Sequence, residues 1–105
     1  MPGKRVKAPD KKWDELTSRE RQTVLDLWEN GPDCAKFLSR RIGMDLGDTM
    51  ELLACLEKSG WLKRVHGTFL LKRGFKKPKH MNHTYYQLAK QAEKELRFLA
   101  RKGLV

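Results

Sequence analysis

The chain has 105 residues, enough for one compact domain, and its 23 lysine and arginine residues exceed its 13 aspartate and glutamate residues by ten. No apolar run is long enough to cross a membrane, and no apolar segment follows the basic N-terminus as in a secretory signal, so we expect a cytoplasmic protein without a membrane partner. Two cysteines are too few for a disulfide scaffold, whereas a net charge of +10 favours a polyanionic partner, nucleic acid first.

The N-terminal part of the sequence divides into a basic tail and a first helix. Residues 1–12 are mostly Lys, Arg, Pro and Gly. Such a composition buries too little apolar surface to fold, so we expect a disordered tail followed by a domain over residues 13–105. Thr17 and Glu20 have the spacing of a capping box, which predicts a helix that begins near Thr17 and ends at Gly31.

Two further helices are predicted close together. The second occupies residues 34–42, with the Asp33 side chain as its N-cap. After a brief turn, Asp45 or Gly47 begins a third helix that ends near Ser59. The positions that recur on the inward face of this third helix are Thr49, Leu52, Leu53 and Leu56.

The second half of the chain has a different texture. Residues 61–65 and 84–87 have the composition of short strands, and the segment 67–83 between them contains five Lys/Arg and exceeds a tight hairpin loop. A last helix is predicted over residues 88–102. This order of elements predicts an α+β, mainly α, fold: a winged helix-turn-helix with three helices, a β-hairpin wing and a C-terminal helix.

Several stretches of the sequence also resemble known proteins. Residues 38–45 (LSRRIGMD) and 56–62 (LEKSGWL) resemble the core of winged-helix regulators of the multiple-antibiotic-resistance type, and residues 86–89 (YQLA) resemble their strand-to-helix junction. Residues 31–36 (GPDCAK) and 83–88 (HTYYQL) are similar to an archaeal winged-helix family of unknown function. The resemblance implies that the third helix enters the major groove of DNA and that the wing contacts the minor groove or the backbone.

The charge of the third helix is unusual for a helix that reads base edges. Residues 44–60 hold four carboxylates and one lysine, a net charge of −3, and three of the carboxylates lie at the N-terminal end that normally contacts bases. We therefore expect weak or unusual sequence readout from this helix. The residues of its outward side that offer a protein contact instead are Met50, Ala54 and Cys55.

The cations of the chain concentrate in the wing. Residues 61–82 contain seven Lys/Arg and no acid, so the wing is expected to bind phosphates without reading sequence. Cations of the second helix are expected to hold the backbone as well. The expected nucleic-acid contacts are Lys36, Arg40 and Arg41 of the second helix, Lys58 of the third, Lys63 and Arg64 of the first wing strand, and Lys72, Arg73, Lys76, Lys77 and Lys79 of the loop.

No catalytic constellation is recognisable in the sequence. It lacks a Gly-rich phosphate loop and a Ser/His/Asp set, so we expect neither enzyme activity nor a cofactor. A metal site is not expected, because Cys34 and Cys55 are 21 residues apart and His80 and His83 lack two further ligands at a recognisable spacing. The apolar residues of the last helix offer a homodimer interface through the terminal helices, and no small-molecule ligand can be inferred.

These features favour a DNA-binding transcriptional regulator that contacts the duplex through its basic wing and its helix-turn-helix. Two alternatives stay open. The acidic third helix fits a winged helix that binds protein within a larger complex. A lysine-rich wing fits RNA as well as DNA, because it does not distinguish A-form from B-form backbones.

Overall fold

The structure is a computed structural model that describes residues 11–65 and 84–105. Within these ranges the arrangement is α+β and mainly helical, as the sequence predicts. In chain order the elements are a 3₁₀ helix Trp13–Glu15, α1 Ser18–Asn30, β1 Asp33–Cys34, α2 Ala35–Ile42, α3 Leu46–Lys58, β2 Leu62–Val65, β3 Tyr85–Leu88 and α4 Lys90–Arg101. Of the tail expected over residues 1–12, residues 1–10 lie outside the described residues, as does the predicted basic loop over residues 67–83. Lys11 and Lys12 are described, and their carbonyl oxygens accept hydrogen bonds from Trp61 and Glu15.

Side-chain caps fix the beginnings of α1 and α3, as the sequence predicts. The Thr17 hydroxyl accepts a hydrogen bond from the backbone N–H of Glu20 (3.1 Å), and the Glu20 carboxylate accepts one from the N–H of Thr17 (2.8 Å). This reciprocal pair is the predicted capping box. Asp45 accepts hydrogen bonds from the N–H groups of Gly47 (3.0 Å) and Asp48 (3.3 Å), so α3 begins directly after Asp45.

Asp33 is not the N-cap of α2, and this prediction was wrong. Asp33 belongs to β1, and α2 follows Cys34, whose side chain makes no capping hydrogen bond. The pairing of Asp33 with Tyr86 of β3 decides this, and a partner so distant in sequence leaves no local signal. The last helix also begins later than predicted, because Leu88 still pairs with Leu62 in the sheet.

The three strands form one antiparallel sheet in the order β1–β3–β2. Tyr85 of the central strand β3 pairs with Cys34 on one side and with Val65 on the other. Because Val65 and Tyr85 are register partners, the chain leaves β2 and re-enters β3 at adjacent positions. β2 and β3 are therefore the described base of the predicted wing.

One core cluster joins the four helices to the sheet. Its members with no more than 3% exposure are Leu16, Val24, Leu27, Leu38, Leu53, Leu56, Trp61, Leu62, Ala92 and Leu96. The Trp61 indole N–H donates to the carbonyl oxygen of Lys11 (2.9 Å), and its ring centroid lies 5.8 Å from that of Trp13, which fixes the segment before α1. Among the described helices, none combines the length and the apolar character that a bilayer crossing requires.

Candidate nucleic-acid interface

A three-residue turn joins α2 to α3 and holds the two helices as a helix-turn-helix unit. Gly43 has a φ of 66°, in the left-handed region that favours glycine. The backbone N–H of Met44 donates to the carbonyl oxygen of Ser39 (3.0 Å), and the Arg19 guanidinium of α1 donates to that of Ile42 (2.8 Å). The carbonyl groups of Ser39 and Ile42 are thereby satisfied, and the end of α2 is tied to α1.

Two of the three cations on α2 are free to meet a ligand. The side chains of Lys36 and Arg40 are exposed, and neither pairs with a carboxylate of a described residue. The Arg40 guanidinium carbon lies 5.7 Å from the centre of the Phe37 ring, which is a cation–π contact. Both side chains can therefore donate to phosphate oxygens without first breaking an ion pair.

Arg41 has a different environment on the same helix. Its guanidinium donates to Asp26 of α1 (2.7 Å) and to Asp33 of β1 (2.6 Å). The hydrogen bond to Asp26 contributes most to raising the pKa of Arg41 above its ordinary value, and the bond to Asp33 adds to it. The residue therefore ties α2 to two neighbouring elements, and a phosphate must compete with both carboxylates for its donors. Sequence reasoning grouped Arg41 with Arg40 because the two aspartates lie 15 and 8 residues away.

The edge of the sheet carries two more of the predicted cations. Lys63 and Arg64 of β2 are both exposed, as is Lys58 at the end of α3. The Arg64 Nε donates to the Glu57 carboxylate (2.9 Å), which raises the pKa of Arg64. Lys58 and Lys63 pair with no carboxylate of a described residue, so they are the free cations next to the base of the wing.

The outward side of α3 combines carboxylates with apolar side chains. Asp48 and Glu51 are exposed and form no ion pair with any described residue. Met50 is 56% exposed, and Ala54 and Cys55 are also exposed. The structure adds Leu46, which is 46% exposed and lies one helical turn before Met50. Its i, i+4 spacing to Met50 was the signal that sequence reasoning missed.

The remaining predicted residues divide between described and undescribed parts of the chain. The five loop cations Lys72, Arg73, Lys76, Lys77 and Lys79 lie outside the described residues, as do His80 and His83. Cys34 is a buried free thiol and Cys55 is an exposed one. Within residues 11–65 and 84–105, no three His, Cys, Asp or Glu side chains are grouped as metal ligands.

Solved structures with the same fold support the winged-helix arrangement. RV1404 from Mycobacterium tuberculosis superposes with a TM-score of 0.69 over 85% of this chain, at 15% identity. FabT from Streptococcus pneumoniae, solved in complex with DNA, superposes with a TM-score of 0.67 over 89% of this chain, at 16% identity. A MarR family protein from Bacillus stearothermophilus superposes with a TM-score of 0.62 over 83% of this chain, at 17% identity.

The chain spans 54%, 58% and 53% of the lengths of these three neighbours, respectively. At such identities the likeness establishes the fold alone. It confirms the predicted winged helix and the resemblance to regulators of the multiple-antibiotic-resistance type at the level of fold.

Sequence comparison gives the family. No curated protein is significantly similar to the chain. The model of a family described as uncharacterized proteins conserved in archaea (DUF2250) matches residues 14–99, which is most of the chain. This agrees with the archaeal winged-helix resemblance that the sequence indicated around residues 31–36 and 83–88. The chain therefore belongs to the DUF2250 family.

Proposed function

We propose that this protein is a winged-helix regulator of transcription that binds duplex DNA mainly through its phosphate backbone. The observation that carries the proposal is the set of exposed, unpaired cations on α2 and at the base of the wing: Lys36, Arg40, Lys58 and Lys63. Support comes from the fold, which the chain shares with FabT, a protein solved in complex with DNA. The seven Lys/Arg in residues 61–82 add to the same charge.

The mechanism that these residues support is electrostatic. Each lysine or arginine that neutralises a phosphate releases condensed counterions, which favours binding without regard to sequence. Phosphate contacts fix the position of the protein on the duplex, and base contacts give specificity. The free carboxylates of α3 repel phosphates, and the base-edge donor that suits them is the amino group of cytosine. We therefore expect modest discrimination between sequences.

A salt series of binding to a random-sequence duplex, followed by fluorescence anisotropy, tests the proposal. We expect the logarithm of affinity to fall with the logarithm of salt with a slope magnitude of about 4–6, as for five to seven neutralised phosphates. Replacing Lys36 and Arg40 with Gln should lower this slope by about 1.8, at about 0.9 per phosphate contact. A control variant that loses the same charge elsewhere, Lys12→Gln with Lys102→Gln, should keep the slope. Absence of binding at about 50 mM salt would refute the proposal.

A second candidate function is protein binding within a larger complex. The exposed apolar side chains Leu46 and Met50, flanked by free carboxylates, favour it because large apolar groups rarely lie together on a free surface without a partner. The test is purification of the tagged chain with a partner in stoichiometric amount. Met50→Lys combined with Ala54→Lys should release that partner without weakening duplex binding. Retention of the partner by this variant would contradict the candidate.

A further inference from the structure

α4 carries a straight row of cations that the proposed function does not use. Lys90, Lys94, Arg97 and Arg101 follow one another at i, i+4, i+7 and i+11. At about 100° per residue they fall within a sector of about 60°, and at about 1.5 Å per residue the row is about 16 Å long. All four side chains are exposed. We call these four residues the α4 row.

The charges of α4 are sorted by side. Its two carboxylates, Glu93 and Glu95, are half-buried and lie on the flanks of the helix, where they line clefts against α1 and the 3₁₀ helix. No member of the α4 row forms an ion pair with a described residue, although Glu93 precedes Arg97 by four residues. A surface that only maintains solubility usually mixes both signs, as α1 does. The α4 row is cationic throughout.

The α4 row and the α2 cations lie on two different helices that pack around one core. Ala92 and Leu96 of α4 pack into the same core cluster as Leu38 of α2 and Leu53 of α3. Each of these helices therefore directs its polar side away from the core and into solvent. Two clefts between described residues beside α4 are lined by α1, the 3₁₀ helix and the sheet region, and neither of the two contains a residue of α2 or α3.

We propose that the α4 row binds the phosphate backbone of a second duplex, so that one protein molecule bridges two DNA segments. This inference rests on the proposed function for the first duplex. The charge and length of the row fit the ligand: one DNA strand presents a phosphate about every 3.4 Å of axis, hence about five phosphates along the row. The sector of the α4 row contains no apolar side chain. The exposed Phe98 lies beside this sector, and the Lys102 Nζ atom lies 5.0 Å from the centre of its ring. A helix that lies in a lipid surface would need such an apolar side.

A capture assay tests the bridge. One duplex is fixed to beads, and a fluorescent duplex of different sequence is added with the wild-type chain or a variant. Replacing all four residues of the α4 row with Gln, a good helix former, should reduce captured fluorescence about tenfold or more, because four phosphate contacts are lost. The same variant should still bind a single duplex in anisotropy. The charge-conserving control Arg97→Lys with Arg101→Lys should capture as the wild type does.

The outcomes separate this inference from the proposed function. Capture that survives the four Gln substitutions overturns the α4 row and leaves the proposed function standing. If instead the four substitutions abolish single-duplex binding while Lys36→Gln with Arg40→Gln does not affect it, α2 is excluded and the bridge is overturned with it. A fall in the sedimenting mass of the free protein on the four substitutions would assign the row to contact between copies, which also overturns the inference. A circular dichroism spectrum and Tm close to the wild type ensure that the variant is folded.

Discussion

The two helices of the helix-turn-helix unit carry opposite charges. α2 has three cations and no carboxylate, whereas α3 has three carboxylates and one lysine and is capped by Asp45. Both helices pack into the same core and share one turn, so packing does not dictate this division. Within one helix-turn-helix unit, the side chains suited to a phosphate backbone are therefore separate from the outward side chains of α3. α2 is suited to holding the backbone, and α3 lacks most of the donors that reading the bases requires.

The largest effect on duplex binding is expected from the basic segment over residues 67–83, which adds to the cations of α2. Replacing Lys72, Arg73, Lys76 and Lys77 with Glu converts four attractive charges into repulsive ones. Binding to a random-sequence duplex should become undetectable by anisotropy at about 0.15 M salt. The corresponding Gln variant should bind with intermediate affinity. Undiminished binding by the Glu variant would remove this segment from the interface.

A large effect of another kind is expected at Arg41, within α2 itself. Arg41→Met leaves Asp26 and Asp33 without their partner, and both carboxylates are largely buried, at 14% and 19% side-chain exposure. We expect the free energy of unfolding to fall by about 1–3 kcal/mol, less than for a fully buried pair because Arg41 is 34% exposed. Thermal unfolding should show a fall in Tm of several degrees.

The comparison with Lys36 and Arg40 makes the test of Arg41 specific. If Arg41 acts by tying α2 to α1 and β1, the salt slope of duplex binding stays at the wild-type value. Lys36→Gln with Arg40→Gln should do the reverse, with a lower slope and an unchanged Tm. A slope reduced by about one in Arg41→Met, without loss of stability, would return Arg41 to the phosphate contacts.

Local signals in the sequence were sufficient for most of the fold. The capping box at Thr17 and the Asp45 cap depend on neighbours three residues away at most, so the beginnings of α1 and α3 could be read directly. β1 could not, because Asp33 owes its strand conformation to Tyr86, far along the chain. The end of β3 was missed for a similar reason, because Leu88 is held in the strand by its pairing with Leu62 of β2.

The sequence predicts which residues of the candidate site are cationic, but not which of these cations are free to bind a ligand. It cannot tell that Arg41 and Arg64 are engaged by carboxylates while Lys36 and Lys63 are free. That distinction depends on which side chains the fold brings within hydrogen-bond distance. The α4 row illustrates the same point, because its freedom from ion pairs depends on which elements lie beside α4.

A smaller effect on duplex affinity is expected from the carboxylates of α3. Asp48→Asn with Glu51→Gln removes two free carboxylates from the outward side of α3. If this helix faces the duplex, affinity should rise about threefold to tenfold, since each like-charge interaction in a water-like dielectric costs about 1 kcal/mol or less. The matched control Asp14→Asn with Glu29→Gln, on exposed residues away from α3, should leave the affinity unchanged.

The base composition of the duplex decides how this result is interpreted. A rise in affinity on both cytosine-rich and cytosine-poor duplexes means that the α3 carboxylates only repel phosphates. A fall confined to cytosine-rich duplexes would show that they accept hydrogen bonds from base amino groups, and that α3 reads sequence after all.

The smallest expected effect is on the pKa of Tyr86 in β3, which the Glu57 carboxylate of α3 influences. Burial raises the pKa of Tyr86, the charge of Glu57 raises it further, and that of Arg64 lowers it. Because the folded protein disfavours the phenolate, this contribution to stability is complete below the ordinary tyrosine pKa of about 10 and is lost as the pH rises through the higher folded value. The chain has two tyrosines, so a Tyr85→Phe background leaves Tyr86 as the reporter of tyrosinate absorbance.

In that background, Glu57→Gln should lower the pKa of Tyr86 toward its ordinary value, since it removes one charge that disfavours the phenolate and frees Arg64 to favour it. Glu51→Gln removes the same charge from the outward side of α3 and should leave the titration of Tyr86 unmoved. Equal shifts in the two variants would mean that the tyrosine senses the summed charge of the helix instead of its contact with Glu57. The carboxylates of α3 would then act on Tyr86 of β3 only through long-range electrostatics. The local influence of the acidic helix would stop short of the sheet.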